Sequence, residues 1–128
     1  MKHSLGDGLP IILLSIFMGA GGQVLFKLGA NKLAFPEGAP LGTMAVQGFL
    51  QIVKNPLILG GFLLFGMSSL LWIVAISKVE LSLAYPMVSL GYVLVLFLSW
   101  ALLGETITLI RISGVLVICL GVFLIAQS

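Results

Sequence analysis

Residues 55–77 read NPLILGGFLLFGMSSLLWIVAIS, and residues 81–104 read LSLAYPMVSLGYVLVLFLSWALLG. Neither stretch holds an Asp, Glu, Lys, Arg or His, and only Lys78, Val79 and Glu80 stand between them. A bilayer core takes about 20 mostly apolar residues as helix, because each backbone N–H and C=O must find its partner inside the segment. Each stretch is long enough for one crossing. So short a connection makes the two helices antiparallel neighbours.

Working outward, Gly8–Phe26 and Ile112–Ser128 are uncharged as well. The chain of 128 residues is 60% hydrophobic and 8% charged, with mean hydropathy +1.27. Ordinary soluble domains are about 45–50% apolar and about 25% charged, and one this small leaves much of its surface wet. The expectation is an all-α integral membrane protein, a single domain over residues 1–128. Its four transmembrane helices lie at about 9–29, 57–77, 81–103 and 107–126. Pro10 is expected in the first turn of span one and Pro56 at the start of span two, where a missing N–H costs nothing. The Gly104-Glu105-Thr106 turn joins spans three and four.

These features exclude several functions. Four spans leave no room for a soluble catalytic or nucleotide-binding domain, and no phosphate loop, paired-His metalloprotease motif or Cys/His cluster is present. No cofactor, metal or nucleic-acid partner is implied. His3 reads as a solvated tail residue, and Cys119, the one cysteine, excludes an intrachain disulfide. The first apolar run is too long for a signal peptide, lacks an A-x-A-like cleavage site and continues through Gln23 and Lys27. It reads as a retained span.

The connection from Asn31 to Pro56 is long and is broken early by Pro36, Gly38 and Pro40. Leu41–Lys54 then carries a helical pattern, with Leu41, Ala45, Phe49 and Ile52 on one face and Thr43, Gln47, Gln51 and Lys54 on another. Too short and polar to span, it is expected to lie as an amphipathic helix in the interface plane. A loop wandering into water is the alternative. With the N-terminus inside, Lys2 and Lys78 face the cytoplasm while Lys32, Lys54 and Arg111 face away, so the positive-inside bias is weak or reversed.

Span three carries Ser82, Tyr85, Ser89, Tyr92 and Ser99, which at about 100° per residue fall on one stripe. Polar side chains at membrane depth face the bundle interior or a hydrated cavity, so the stripe is either interhelical hydrogen bonding or a substrate-facing groove. Pro86 cannot donate to the Ser82 carbonyl and bends the helix beside the stripe. In span one, Ser15, Gly19, Gly22 and Gly29 strip bulk from the helix, and Gln23 and Lys27 stand one turn apart. Lys27 either snorkels to the headgroup layer or holds an anionic headgroup. Glu105 is a solvated turn carboxylate or a substrate contact, and Arg111 opens span four. Trp72 and Trp100 suit aromatic belts. Gly114 and Gly121 form a flat strip on which another helix can pack. Away from the span ends there is no acidic group, so the interior suits an anionic or sugar-bearing substrate better than a lipophilic cation.

With its Val79–Val93 stretch VELSLAYPMVSLGYV, its Leu103-Gly104-Glu105 turn, its Gly114…Gly121-Val122 strip and Gly22-Gln23-x-x-x-Lys27, the chain resembles the drug/metabolite transporter superfamily in its short, EamA-like four-span form. The resemblance covers nearly the whole chain. Two branches compete. Small multidrug resistance exporters carry an essential glutamate eight residues before the lysine, and Gly19 stands there instead. The second branch, the small subunits that flip aminoarabinose-phosphoundecaprenol, shares the Ala-Tyr-Pro-Met-x-Ser run and the Gln…Lys pair. That resemblance implies a bacterial inner-membrane flippase for a polyprenyl-phosphate sugar, with the N-terminus inside, working by alternating access as a homodimer or heterodimer. It further implies that Lys27, with Arg111, holds the phosphate; that Gln23, Ser82, Tyr85, Ser89, Tyr92 and Glu105 meet the headgroup; and that Pro86 and Gly91 act as hinges. Gly114 and Gly121 would pack the dimer. A drug or metabolite exporter and a non-transporting scaffold subunit are the alternatives.

Overall fold

The long first helix begins before Pro10 rather than at it. In a computed structural model that describes residues 5–128, α1 spans Leu5–Ala30, so Pro10 lies a turn and more inside the helix. The carbonyl it leaves unpaired, that of Gly6, sits in the opening turn, where water or headgroups reach it. Lys2, expected on the cytoplasmic side, and His3, expected in a solvated tail, lie outside the described residues.

Helix α2 spans Leu41–Lys54 and α3 spans Pro56–Ile76. One side chain settles how α1 ends and α3 begins. Asn55 Oδ1 accepts from the backbone N–H groups of Leu57 at 3.0 Å and Ile58 at 3.3 Å. Its Nδ2 donates to the Gly29 carbonyl at 3.0 Å. The same amide thus caps orphan donors of α3 and gives a second donor to the Gly29 carbonyl of α1, which also accepts from Lys32 N–H, and Pro56 sits at the first helical position with no donor to satisfy.

Span three is two helices, α4 over Leu81–Met87 and α5 over Leu90–Leu103. Pro86 lies two residues before the break. Around it the backbone tightens, with Val88 N–H donating to the Tyr85 carbonyl, Ser89 to Pro86, Gly91 to Val88 and Tyr92 to Ser89. These i to i−3 bonds are the 3₁₀ pattern, which winds the chain more tightly than the α ladder on either side. The C-terminus of α5 closes at Gly104 with φ 67°, and Glu105 N–H reaches back to the Ser99 carbonyl at 3.1 Å, a Schellman-type closure. Thr108 Oγ1 then caps α6, Leu109–Gln127, by accepting from Arg111 N–H at 3.2 Å.

Four stretches are long and apolar enough to cross a bilayer: Gly6–Ala30, Pro56–Ile76, Leu81–Leu103 and Leu109–Gln127. With no strand among the described residues, this is an all-helical, multi-pass membrane protein.

The tightest packing joins α1 to α3. A Cβ on Gly22 would stand 3.2 Å from the Gly61 carbonyl oxygen, and one on Gly61 would stand 3.1 Å from that of Gly22 and 2.7 Å from the Phe26 ring. Only glycine lets the backbones approach so closely, which is how helices associate where burial alone drives nothing. Lower down, Ser15 Oγ donates to the Ser68 carbonyl at 2.9 Å and Ser68 Oγ donates to that of Ser15 at 2.7 Å. Ile12, Ile16, Ala75, Val79, Ala84, Met87 and Val122 close the end of the bundle where α1 begins and α3 ends. By contrast α6 is peripheral, with Leu116, Val117, Leu120, Phe123 and Leu124 all exposed.

The polar side of α2 is solvated at Thr43 and Lys54 but engaged at Gln51. Gln51 accepts from Ala34 N–H at 2.9 Å and donates to the Ala34 carbonyl at 2.8 Å, so its amide pairs with the connecting strand of backbone like a second peptide. The Phe35 ring lies against Gly48, 3.3 Å from where its Cβ would be. Leu41, Val46, Phe49, Leu50 and Val53 are left exposed.

Candidate functional site

Between α1, α3 and the broken span three lies a groove of about 580 Å³. Helix α1 contributes Ser15, Gly19, Ala20 and Gln23; α3 contributes Phe65, Ser68, Ser69 and Trp72; span three contributes Tyr85, Val88, Gly91, Tyr92 and Val95. The small residues of α1 make the hollow, since side chains of ordinary size at Gly19 and Ala20 would fill it. The break at Val88–Ser89 falls between the two tyrosines, Tyr85 in α4 and Tyr92 in α5.

Among the described residues, no charged one lines the groove. Its hydroxyls are less available than the stripe suggests. Ser15 and Ser68 are spent on each other, and Ser69 Oγ donates back to the Phe65 carbonyl at 3.0 Å. Gln23, Tyr85 and Tyr92 are exposed and line the cavity. Trp72 meets Tyr85 edge to face, with centroids 6.4 Å apart and an interplanar angle of 70°, so the aromatic wall presents a ring edge beside a phenol. Trp72 therefore belongs to the groove wall and not only to an aromatic belt.

The sequence-derived site residues divide. Gln23, Tyr85, Tyr92 and Gly91 come together at the groove. Pro86 sits at the break beside it. Lys27, exposed, follows Gln23 by one helical turn, about 6 Å along the same face of α1. Ser89 does not line the cavity, because its hydroxyl turns back to the Pro86 carbonyl. Ser82 is exposed and also stands outside the lining, whereas Ser99 is buried near the far end of α5. The 3₁₀ turn advances the helix by about 120° per residue rather than 100°, so the single stripe is dephased at the break.

Glu105 and Arg111 are at a different place. Glu105 lines a second cavity, of about 690 Å³, with Val93, Leu96, Phe97, Trp100, Gly104, Thr106, Ile107 and Ile112. Arg111 Nη1 donates to the Thr106 carbonyl at 2.9 Å, tying down the loop that joins α5 to α6.

Ser68, Ser69 and Trp72 escaped the sequence reading. The signal was the adjacent hydroxyl pair within the otherwise apolar run of α3, but periodicity in one helix says nothing of the neighbour it faces. Gly114 and Gly121 have no atom within 4 Å of where a Cβ would stand, so the strip they form on α6 is open in the single chain.

The profile of the EamA-like transporter family matches residues 33–127. The chain is 27% identical over 118 residues to the probable 4-amino-4-deoxy-L-arabinose-phosphoundecaprenol flippase subunit ArnE of Pseudomonas aeruginosa, covering 92% of this chain and 96% of that one. It is 25% identical to the corresponding probable subunit ArnF of Shewanella sediminis, over 92% of this chain and 86% of the other. Against the probable ArnF subunit of Proteus mirabilis the identity is 32%, over 83% and 81% of the two chains. No solved structure gives a significant match.

Proposed function

The chain belongs to the EamA-like transporter family, and from that premise we propose that it is a subunit of a bacterial inner-membrane flippase for a polyprenyl-phosphate-linked sugar. Support comes from relatives that carry the flippase name over almost their whole length. The observation that carries the reading is the uncharged groove of α1, α3 and the broken span three, with Lys27 one turn beyond its Gln23.

In this mechanism the prenyl tail stays in lipid while the headgroup passes along the groove. The Lys27 ammonium, on its flexible stem, follows the phosphate as a point charge. Gln23, Tyr85 and Tyr92 replace the water that a sugar sheds on entry; an unreplaced hydroxyl bond costs roughly 1–3 kcal/mol. Alternating access comes from α4 and α5 moving about the break at Pro86, with Gly91 lining the groove where α5 starts. No covalent step is involved. Four helices enclose only an open-sided groove, so a second copy or a similar small subunit closes it, meeting the strip of Gly114 and Gly121. Helix α2 rests its exposed apolar side in the headgroup layer.

A proton-coupled exporter of lipophilic cations needs a carboxylate that exchanges proton for substrate. No carboxylate lines the groove, which favours the lipid-linked substrate. The test is lipid-sugar translocation in vesicles. Lys27→Ala is expected to slow it at least about tenfold, the size of one lost charge-assisted bond. Wild-type rates in that variant would remove the phosphate role.

A further inference from the structure

The second cavity has a chemistry the groove lacks. It is a hollow of about 690 Å³ beside α5 and the α5–α6 turn, and it combines one carboxylate with an aromatic pair. Phe97 and Trp100 both line the hollow, their ring centroids 6.1 Å apart at an interplanar angle of 47°. Glu105 is partly buried at the same wall. Its position is fixed from the backbone, by the left-handed Gly104 and the bond from Glu105 N–H to the Ser99 carbonyl. The nearest cation in sequence, Arg111, is engaged with the Thr106 carbonyl, and no ion pair joins it to Glu105.

A carboxylate beside aromatic faces is the chemistry of ammonium recognition: the rings attract a cation through their negative faces, and the carboxylate supplies the counter-charge. A metal ion is a poor fit, because the wall offers a single carboxylate and there is no cluster of three metal-ligating side chains among the described residues. Position narrows the ligand further. Glu105 follows the last residue of α5, Leu103, at the end of a span and so at headgroup depth. Val93, Phe97, Trp100 and Ile112 are exposed on the protein surface, where acyl chains lie. Thus the charged end of the hollow meets headgroups while its apolar side meets tails.

We propose that this cavity is a lipid site separate from the transport groove, holding the primary ammonium headgroup of an aminophospholipid of the phosphatidylethanolamine type between Glu105 and the Phe97–Trp100 pair. The site is independent of the flippase reading, and its residues are not those of the groove.

The experiment reconstitutes the full chain in nanodiscs of equal phosphatidylethanolamine and phosphatidylglycerol and quantifies co-purifying lipid by native mass spectrometry. The wild type enriches phosphatidylethanolamine by roughly fivefold to tenfold, the size of a cation–π contact plus a partly exposed ion pair. Glu105→Gln, an isosteric change on a turn, brings the ratio close to one, and Trp100→Leu lowers it. Equal retention of the two lipids by the wild type overturns the site, as does undiminished enrichment in Glu105→Gln.

Discussion

Asn55 shows how much a single side chain determines when every backbone polar group must be paired. Its carbonyl oxygen satisfies two N–H groups of α3 while its amide nitrogen satisfies the last turn of α1, 26 residues away in sequence. Asn55→Ala is expected to lower stability by about 1 kcal/mol or more, in the range of lost N-caps. Asn55→Asp keeps the α3 cap and loses only the donor to Gly29, so it should fall between wild type and alanine. Denaturant unfolding in mild detergent checks the order. Ser15 and Ser68 follow the same logic within the bilayer: each hydroxyl finds the other helix's carbonyl, which locks the register of α1 on α3. Membrane hydrogen bonds of this sort average only about 0.6 kcal/mol, so their effect is register more than affinity.

At the scale of the element, the third span decides the shape of the site. Proline removes one donor, the ladder tightens to i−3 bonds, and a hydroxyl that periodicity would point at the groove, that of Ser89, turns to the Pro86 carbonyl instead. Pro86→Ala restores the donor to the Ser82 carbonyl. Helices α4 and α5 should then fuse, with amide hydrogen-exchange protection at Val88 and Ser89 rising severalfold while translocation falls. Unchanged exchange there would show that the break is imposed by tertiary packing rather than by the proline. Helix α2 teaches the converse. Its alternation of Gln47 and Gln51 with apolar residues is legible as amphipathic, yet Gln51 on the polar side spends its amide on the Ala34 backbone.

At the scale of the molecule, α1 and α3 form a tight pair to which span three is added, and α6 stands at the edge with most of its apolar surface uncovered. In a bilayer that surface faces acyl chains or another helix equally well, because lipid tails are as apolar as leucine. The glycines distinguish the two. Gly114→Leu combined with Gly121→Leu adds side chains where the single chain has nothing within 4 Å, so the protomer's melting temperature should stay within a few degrees of wild type. If the strip is the seam with a second subunit, cross-linking between subunits should fall severalfold in the same variant. Cross-linking at the wild-type level would move the seam elsewhere.

The amino-acid sequence by itself determined the class, the number of spans, an irregularity near the proline of span three and the neutral character of the groove. Those properties rest on composition, length and the missing donor of proline, which act within one helix. It also placed Gln23, Tyr85 and Tyr92 among the groups that face a cavity. Only the tertiary structure decided that Ser68, Ser69 and Trp72 complete the wall, that Ser82 and Ser89 stand outside it, and that Glu105 belongs to a separate hollow. The reason is that a helical period assigns a face but not the neighbour it meets, and that a few i−3 bonds shift the phase of every residue beyond them.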